Sequence, residues 1–541
     1  MSRQTLAFAT AAALLCAALL GFAGRQLETP GLYYDEAVQA APAAEFLRDG
    51  GRPLEIPGAR NARLFGGWFP LMTQPYMSGL KSQLLIPSFA LFGAGRASLR
   101  MTTLVWGCLG LVLCMLWVRT VWGTPAALLT GLLLASDPSF VFVTRHDWGS
   151  VSLALMCRGG GLWLLSSGWG VAAWRIALGA CLLGLGVTNK IDAAAFLLGA
   201  GAALWLVAPA WLAREVRERP RHALLSIGGV LLGASPMLLA LPGVWGATRG
   251  MLRSAASRSS QFAEKLDTWQ ALLDGSHFHR LMLTGGRFDA LSNVPDAASG
   301  AFLWCFVAAF ALLLVTVARD PGGRRREAFV LLATLLTAAC LLAMPRAARI
   351  HHVMNVMPLP QLLVALAALQ LWRLAPLGRI AAVAAVATAV AGHLHVDART
   401  LDTLRESGGR GRWSGALERF AGELPAETVV VSLDWGFHAP LMLLRPELAL
   451  EEPVWRLSSA APAGPGATLR GTPRHVYLVQ LPGYEVFEIG AALLEAVREL
   501  PQGVARIESV ADASGAPAFH AVRFARPHTL SYRGSFDVTL R

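Results

Sequence analysis

Apolar runs of about twenty residues, separated by short polar turns, fill most of the first 395 positions of this 541-residue chain. Uninterrupted apolar stretches of that length are what a helix needs to cross a bilayer. The pattern predicts spans at 5–24, 100–119, 124–140, 148–167, 171–188, 192–211, 223–245, 299–318, 327–345, 353–372 and 377–395. The first run has the short basic start and alanine-rich core of a signal peptide. Its length, and the acidic motif that follows it, favour a retained helix. Past 395 the rhythm changes. Short β-type runs at 428–433, 475–481, 504–510 and 519–524 surround a helical pattern at 487–500, which predicts a soluble α/β domain over 396–541.

Arginines flanking the spans orient the chain. With the N-terminus inside, the short inner segments hold Arg3, Arg119, Arg175, Arg214, Arg217, Arg219, Arg221, Arg319, Arg324, Arg325, Arg326, Arg373 and Arg379. The short outer ones hold only Arg145, Lys190, Arg346 and Arg349. Positive charge is retained on the inner side, so an odd number of spans leaves 396–541 outside. Two more long segments lie outside, 25–99 and 246–298. Within the first, Leu84-Leu85-Ile86 and Phe89-Ala90-Leu91-Phe92 are too short to cross and read as an interfacial helix.

Composition agrees. Hydrophobic residues make up 54% and charged ones only 15%, against about 25% charged in soluble domains. The net charge of +12 belongs to arginines at span ends, where it meets anionic lipid and not nucleic acid. All seven cysteines (Cys16, Cys108, Cys114, Cys157, Cys181, Cys305, Cys340) sit inside apolar runs without metal-ligand spacing, which excludes a disulfide framework and a cysteine zinc site.

Candidate chemistry gathers on the outer face. Tyr33-Tyr34-Asp35-Glu36 follows the first span and Arg145-His146-Asp147-Trp148 precedes the fourth. Tyr76 and Lys81 lie in the first loop, Lys190 and Asp192 at a turn, and Arg346, Arg349, His351 and His352 before the tenth span. Acids kept beside a membrane are functional candidates. A carboxylate can take a proton from a hydroxyl, and fixed cations can hold a phosphate. His277, His279, His393 and His395 form pairs spaced by two, a spacing loops also show; no metal is required, though a divalent ion between Asp35 and Asp147 is compatible. Arg158, about eleven residues beyond Asp147 at 1.5 Å per residue, falls near mid-bilayer, where it is expected to be buried and paired, the alternative being a side chain that snorkels toward the inner face.

Two acidic motifs on one face, with Phe92-Gly93-Ala94-Gly95-Arg96-Ala97-Ser98-Leu99-Arg100, Asp137-Pro138 to Asp147, Gly184-Leu185-Gly186-Val187-Thr188-Asn189-Lys190 and Arg349-Ile350-His351-His352 to Pro360, resemble the GT-C glycosyltransferases, family 39, the protein O-mannosyltransferase and aminoarabinose-transferase group. The resemblance covers about residues 1–375. It implies a polytopic α-helical membrane catalytic domain over 1–395, including the loop 25–99, joined to the extracytoplasmic domain. The implied activity is inverting transfer of a hexosyl or pentosyl group from a polyprenyl-phosphate carrier to an acceptor (protein, glycolipid or polymer) on the periplasmic face of a bacterial inner membrane. Asp35 would be the base, with Glu36 and Asp147 orienting substrates. Tyr34, Tyr76, Lys81, Arg145, His146, Lys190, Arg346, Arg349, His351 and His352 would hold the donor phosphate or substrate. The alternatives are a flippase or transporter for a lipid-linked substrate, and a non-catalytic GT-C scaffold.

Overall fold

The structure is a computed structural model that describes residues 3–256, 261–287, 294, 296–344, 348–374, 376–459 and 467–540. Among the described residues six helices are long and apolar enough to cross a membrane: Arg3–Ala23, Arg96–Trp122, the one beginning at Pro220, Phe302–Arg319, Arg325–Ala343 and Pro376–Ser407. Three bent pairs raise the number to as many as nine: Thr124–Ala135 with Pro138–His146, Ile191–Val207 with Pro209–Glu218, and Ile350–Val356 with Leu359–Trp372. The two other expected spans coincide with the helices Val151–Gly168 and Ala173–Asn189. The first is interrupted in composition by Arg158 and three glycines and the second is only 17 residues long, yet both pack inside the bundle. The chain is therefore a multi-pass membrane protein.

The break at Asp137-Pro138 positions the site. Proline fits the first turn of a helix, where its missing N–H costs nothing. The Asp137 carboxylate accepts the amides of Ser139 (2.9 Å) and Phe140 (3.2 Å), so one helix ends and another starts. The axis swings by 64°, and the second piece ends at Arg145, His146 and Asp147. Arg158 is buried and paired as its depth demands. It donates to the Met357 carbonyl and, at 2.8 Å, to Asn355 Oδ1, with its guanidinium 4.7 Å from the Phe196 ring.

The segment 25–99, the first long loop, is more ordered than its sequence suggests. Two short helices, Tyr34–Ala37 and Ala41–Leu47, precede an antiparallel sheet of β1 (Arg60–Leu64), β2 (Gly67–Gln74) and β3 (Met77–Ser78). The expected short apolar helix follows at Leu80–Phe92. The second long segment begins later than expected, because the helix from Pro220 runs on to Ala256 instead of stopping at 245. Arg346 lies outside the described residues.

The last membrane helix continues to Ser407 before the chain enters the C-terminal domain. There β4 (Val429–Ser432), β5 (Ala449–Glu451), β6 (Ala467–Gly471), β7 (His475–Gln480), β8 (Ala505–Ala511), β9 (Pro517–Phe524), β10 (His528–Tyr532) and β11 (Phe536–Leu540) form two sheets. The five-stranded one has the order β5-β4-β7-β9-β8, parallel at β5-β4-β7 and antiparallel beyond; the other is β11-β10-β6. Helix Ile489–Arg498 packs its apolar side on this domain's core. The domain is α/β, and it sits on the first long loop. Tyr34, Ala37 and Val38 share one buried cluster with Ala439, Met442 and Leu443, with Trp435 and Trp455 packed against it.

Candidate active site

Asp35 lies on the one-turn helix Tyr34–Ala37, half-buried, with Trp148 Nε1 donating to its Oδ2. Burial pushes its carboxyl up to about 6, even though Lys190, Arg412, Arg349 and Lys81 pull the other way. A carboxylate in that range is well placed to take up a proton near neutral pH.

Its neighbour Glu36 has a different place from the orienting one expected. It is 1% exposed, and Arg100 binds it with two bonds, Nε to Oε2 at 3.0 Å and Nη2 to Oε1 at 2.6 Å. Oε1 also accepts the Tyr33 amide at 2.9 Å. Arg100 further donates to the carbonyls of Pro30 (2.9 Å) and Gly31 (3.1 Å). Glu36 thus folds the loop that presents Asp35.

Asp147 is also engaged inside the protein. It is fully buried, in left-handed conformation at φ +42°. Its Oδ2 lies 2.8 Å from Lys81 Nζ, and Oδ1 accepts the Ser152 amide at 2.9 Å. Lys81 also donates to the Asp147 carbonyl at 3.1 Å. The Asp147–Lys81 pair shapes the turn that aims Trp148 at Asp35. Arg145 points to the first loop, donating to the carbonyls of Gln26 and Thr29 (2.6 Å to the latter), and His146 Nδ1 faces its own helix at the Phe142 carbonyl, 3.0 Å away. Both residues are thus turned toward the backbone and not toward Asp35.

A second group of polar residues does face Asp35. Lys190 Nζ sits 3.2 Å from Asp192 Oδ2, which also meets His352 Nδ1 at 2.7 Å. Burial lowers the Lys190 pKa, partly offset by Asp192 and Asp35. The Ile191 amide donates to the Tyr76 carbonyl at 3.1 Å, tying this turn to the first loop. His351 stacks obliquely on His352 (4.2 Å between centroids) and on Trp148 (5.3 Å). Arg349 pairs with Glu264 at 3.3 Å. Lys190, Arg349, His351 and His352 are therefore gathered with Asp35 and Trp148.

The C-terminal part supplies Arg412 and Trp413, which sequence reasoning missed, and Trp435, whose turn Asp434-Trp435-Gly436 could carry a sugar-stacking ring although the sequence favours an ordinary turn. Between the last membrane helix and the domain, Gly408, Gly409 and Gly411 all have positive φ, and a side chain at Gly409 would strike the Trp413 carbonyl and the Pro30 ring. This turn drives Trp413 against Tyr33, stacked at 4.3 Å and 13°. Trp413 also meets Trp148 edge-on at 5.3 Å, and Trp435 meets Tyr33 (5.4 Å) and Tyr34 (4.5 Å). Arg412 lies over Trp435 at 5.2 Å and donates to the Tyr484 carbonyl at 2.7 Å. His277 reaches Trp148 at 6.0 Å, and burial brings its pKa down to about 3. His277 was a visible signal, but its approach to Trp148 was not; nor was the packing of Trp413 and Trp435 on Tyr33.

The spaced histidines do not assemble. His279 bonds Thr403 at 3.1 Å, His393 faces Ser136 at 3.2 Å, and His395 is exposed. Among the described residues no three of His, Cys, Asp or Glu form a group that could hold a metal ion.

Comparison with known proteins bears on this arrangement. Residues 83–239 match the family described as dolichyl-phosphate-mannose-protein mannosyltransferase. No curated protein sequence matches the chain. Among solved structures, ArnT from Cupriavidus metallidurans bound to undecaprenyl phosphate superposes with a TM-score of 0.55 at 15% identity, over 96% of this chain and 97% of that one. Its apo form gives the same TM-score and identity over 94% and 97%. The oligosaccharyltransferase of Archaeoglobus fulgidus aligns at 15% identity over 82% of this chain and 64% of its own, with a TM-score of 0.48. The chain shares the fold of ArnT over nearly its full length, C-terminal domain included.

Proposed function

We propose that this protein is a membrane glycosyltransferase that uses a polyprenyl-phosphate-linked sugar and inverts the configuration at the transferred carbon. The acceptor oxygen attacks the anomeric carbon and the bond from that carbon to the phosphate oxygen breaks. Polyprenyl phosphate leaves with the bonding pair, and the acceptor proton passes to Asp35. A phosphate is a good leaving group once its charge is held, so Lys190 and Arg349, with Arg412 close by, suffice without a metal in this scheme. Tyr76, His351 and His352 would complete the donor side. The reaction would occur on the outer, periplasmic face of a bacterial inner membrane, with the N-terminus in the cytoplasm.

The observation that carries the reading is Asp35: a half-buried carboxyl raised to about 6, held by Trp148 and faced by cations from four separate parts of the chain. The family match over 83–239 and the fold shared with a protein crystallised with undecaprenyl phosphate support it. The test is turnover. Purified protein reconstituted with polyprenyl-phosphate sugars should release polyprenyl phosphate, detected by mass spectrometry. If none of the donors offered is consumed, and no polyprenyl lipid copurifies with the protein, the reading is wrong.

A further inference from the structure

Arg158 is a buried cation that the scheme above leaves out. It lies in the helix Val151–Gly168, 5% exposed, at a depth where a charge is costly. Its partners are neutral oxygens: Nη1 donates to the Met357 carbonyl, and Nη2 to Asn355 Oδ1 at 2.8 Å. What the guanidinium supplies there is a planar fork that holds two acceptors at once. The two acceptors bracket the end of the single turn Met354–Val356, which follows the short helix Ile350–Val353 carrying His351 and His352.

Arginine can only donate, so Asn355 must turn its amide oxygen to Arg158 and its amide nitrogen the other way. There Nδ2 donates to the His352 carbonyl at 3.1 Å. His352 Nδ1 lies 2.7 Å from Asp192 Oδ2, the same oxygen that Lys190 Nζ meets at 3.2 Å. A carboxylate only accepts, so His352 Nδ1 carries the proton of that bond. A chain of polar contacts with a fixed sense therefore runs from the middle of the bundle to the lysine assigned to the donor phosphate: Arg158, Asn355, His352, Asp192, Lys190. The other end of this segment is held in a similar way from the helix Gln261–Asp274. Lys265 Nζ donates to the carbonyls of Leu342 (2.7 Å) and Met344 (2.6 Å), and Thr268 Oγ1 to that of Ala348 (2.7 Å). Side chains from two other helices thus fix both ends of the segment that bears Arg349, His351 and His352.

We propose that Arg158 is a positioning residue for donor binding. Through Asn355 it sets the His352 ring, and through His352 and Asp192 it sets Lys190, without touching the substrate itself. The proposal rests on the transferase reading and deepens it, because it adds a residue that acts on the donor phosphate from within the membrane.

The test uses the full-length protein in nanodiscs with two readouts: binding of polyprenyl phosphate by native mass spectrometry, and turnover of a polyprenyl-phosphate sugar. Arg158→Leu should weaken polyprenyl phosphate binding by about tenfold and raise the donor KM more than it lowers kcat, the sign of lost ground-state binding. Where Arg158→Leu does not fold, Arg158→Lys, whose single ammonium cannot span both acceptors as the fork does, replaces it. Asn355→Asp separates positioning from a merely structural role. Its carboxylate still accepts from Arg158 and keeps the arginine paired, but it cannot donate to the His352 carbonyl. Thermal stability should be retained, and polyprenyl phosphate binding should still fall by about three- to tenfold. In a His352→Ala background the loss caused by Arg158→Leu should shrink to less than about twofold, since members of one network are not additive. Wild-type binding in Asn355→Asp, a loss of binding that only follows loss of folded protein, or an equal effect of Arg158→Leu with and without His352 overturns the proposal. A wild-type protein that binds polyprenyl phosphate but consumes no donor defeats the transferase reading instead, and the binding measurements still decide the role of Arg158.

Discussion

The acidic motif after the first membrane helix and the one before Val151–Gly168 look alike in sequence, each a short polar cluster beside an aromatic residue, but the fold uses them differently. In the first, Glu36 is locked to Arg100 while Asp35 remains half-buried and faces cations it does not bond. In the second, the acid itself is locked, Asp147 to Lys81, and the aromatic residue reaches out: Trp148 donates to Asp35. One motif contributes the group poised for proton transfer; the other contributes its orientation. A carboxylate whose oxygens are all consumed by the protein's own cations and amides has little left for a substrate.

The sharpest way to break this comparison is to neutralise each acid in turn. Asp35→Asn should reduce transfer by about 10²–10⁴-fold, the usual loss for a general base, and should leave the melting temperature the same or higher, since it removes a buried charge. Transfer above half of wild type would remove Asp35 from the role of base. Asp147→Asn or Lys81→Met should act first on stability. Each leaves its partner's charge buried alone, which costs about 3–5 kcal/mol, and the double variant should recover much of that in thermal unfolding. Equal losses in the single and double variants would mean that the pair does not act as a unit. A third, smaller effect sharpens the link between the motifs. Trp148→Phe keeps the ring but removes the donor to Asp35, and should slow transfer by about tenfold. Because that bond favours the ionised carboxylate, its loss should also move the pH dependence. In the wild type, kcat/KM should fall as pH drops through about 6, where Asp35 becomes protonated. In Trp148→Phe the same limb should appear at higher pH. An unmoved limb would dissociate Trp148 from the base.

The sequence disclosed what periodicity and charge can encode. The span expected at 100–119 is the core of Arg96–Trp122, and the runs at 428–433 and 475–481 are β4 and β7 within a residue. Arg158 had to find partners at its depth, and did. Hidden were the facts that depend on tertiary docking. The hairpin β1–β2 is built from mixed, partly exposed residues around Gly66 and Gly67 with no clean alternation. Nothing local in Gly411-Arg412-Trp413 says that it packs on Tyr33, some 380 residues earlier. Asp147 and Glu36 show the converse: their residue type and place were legible, but the cations that occupy them come from Lys81 and Arg100, and only the folded loop brings these within reach.

The helix Pro376–Ser407 and the glycine turn after it carry a consequence for modularity. A boundary drawn at 395, where the apolar run stops, would cut this helix three turns short of its end and discard the strap bearing Trp413. The two parts differ in solvent, composition and secondary structure, and so invite treatment as interchangeable pieces. Yet the ring that covers Tyr33 belongs to one piece and Tyr33 to the other. Exchanging C-terminal domains between relatives would therefore succeed only where the crossover lies upstream of the turn and the first loop travels with it.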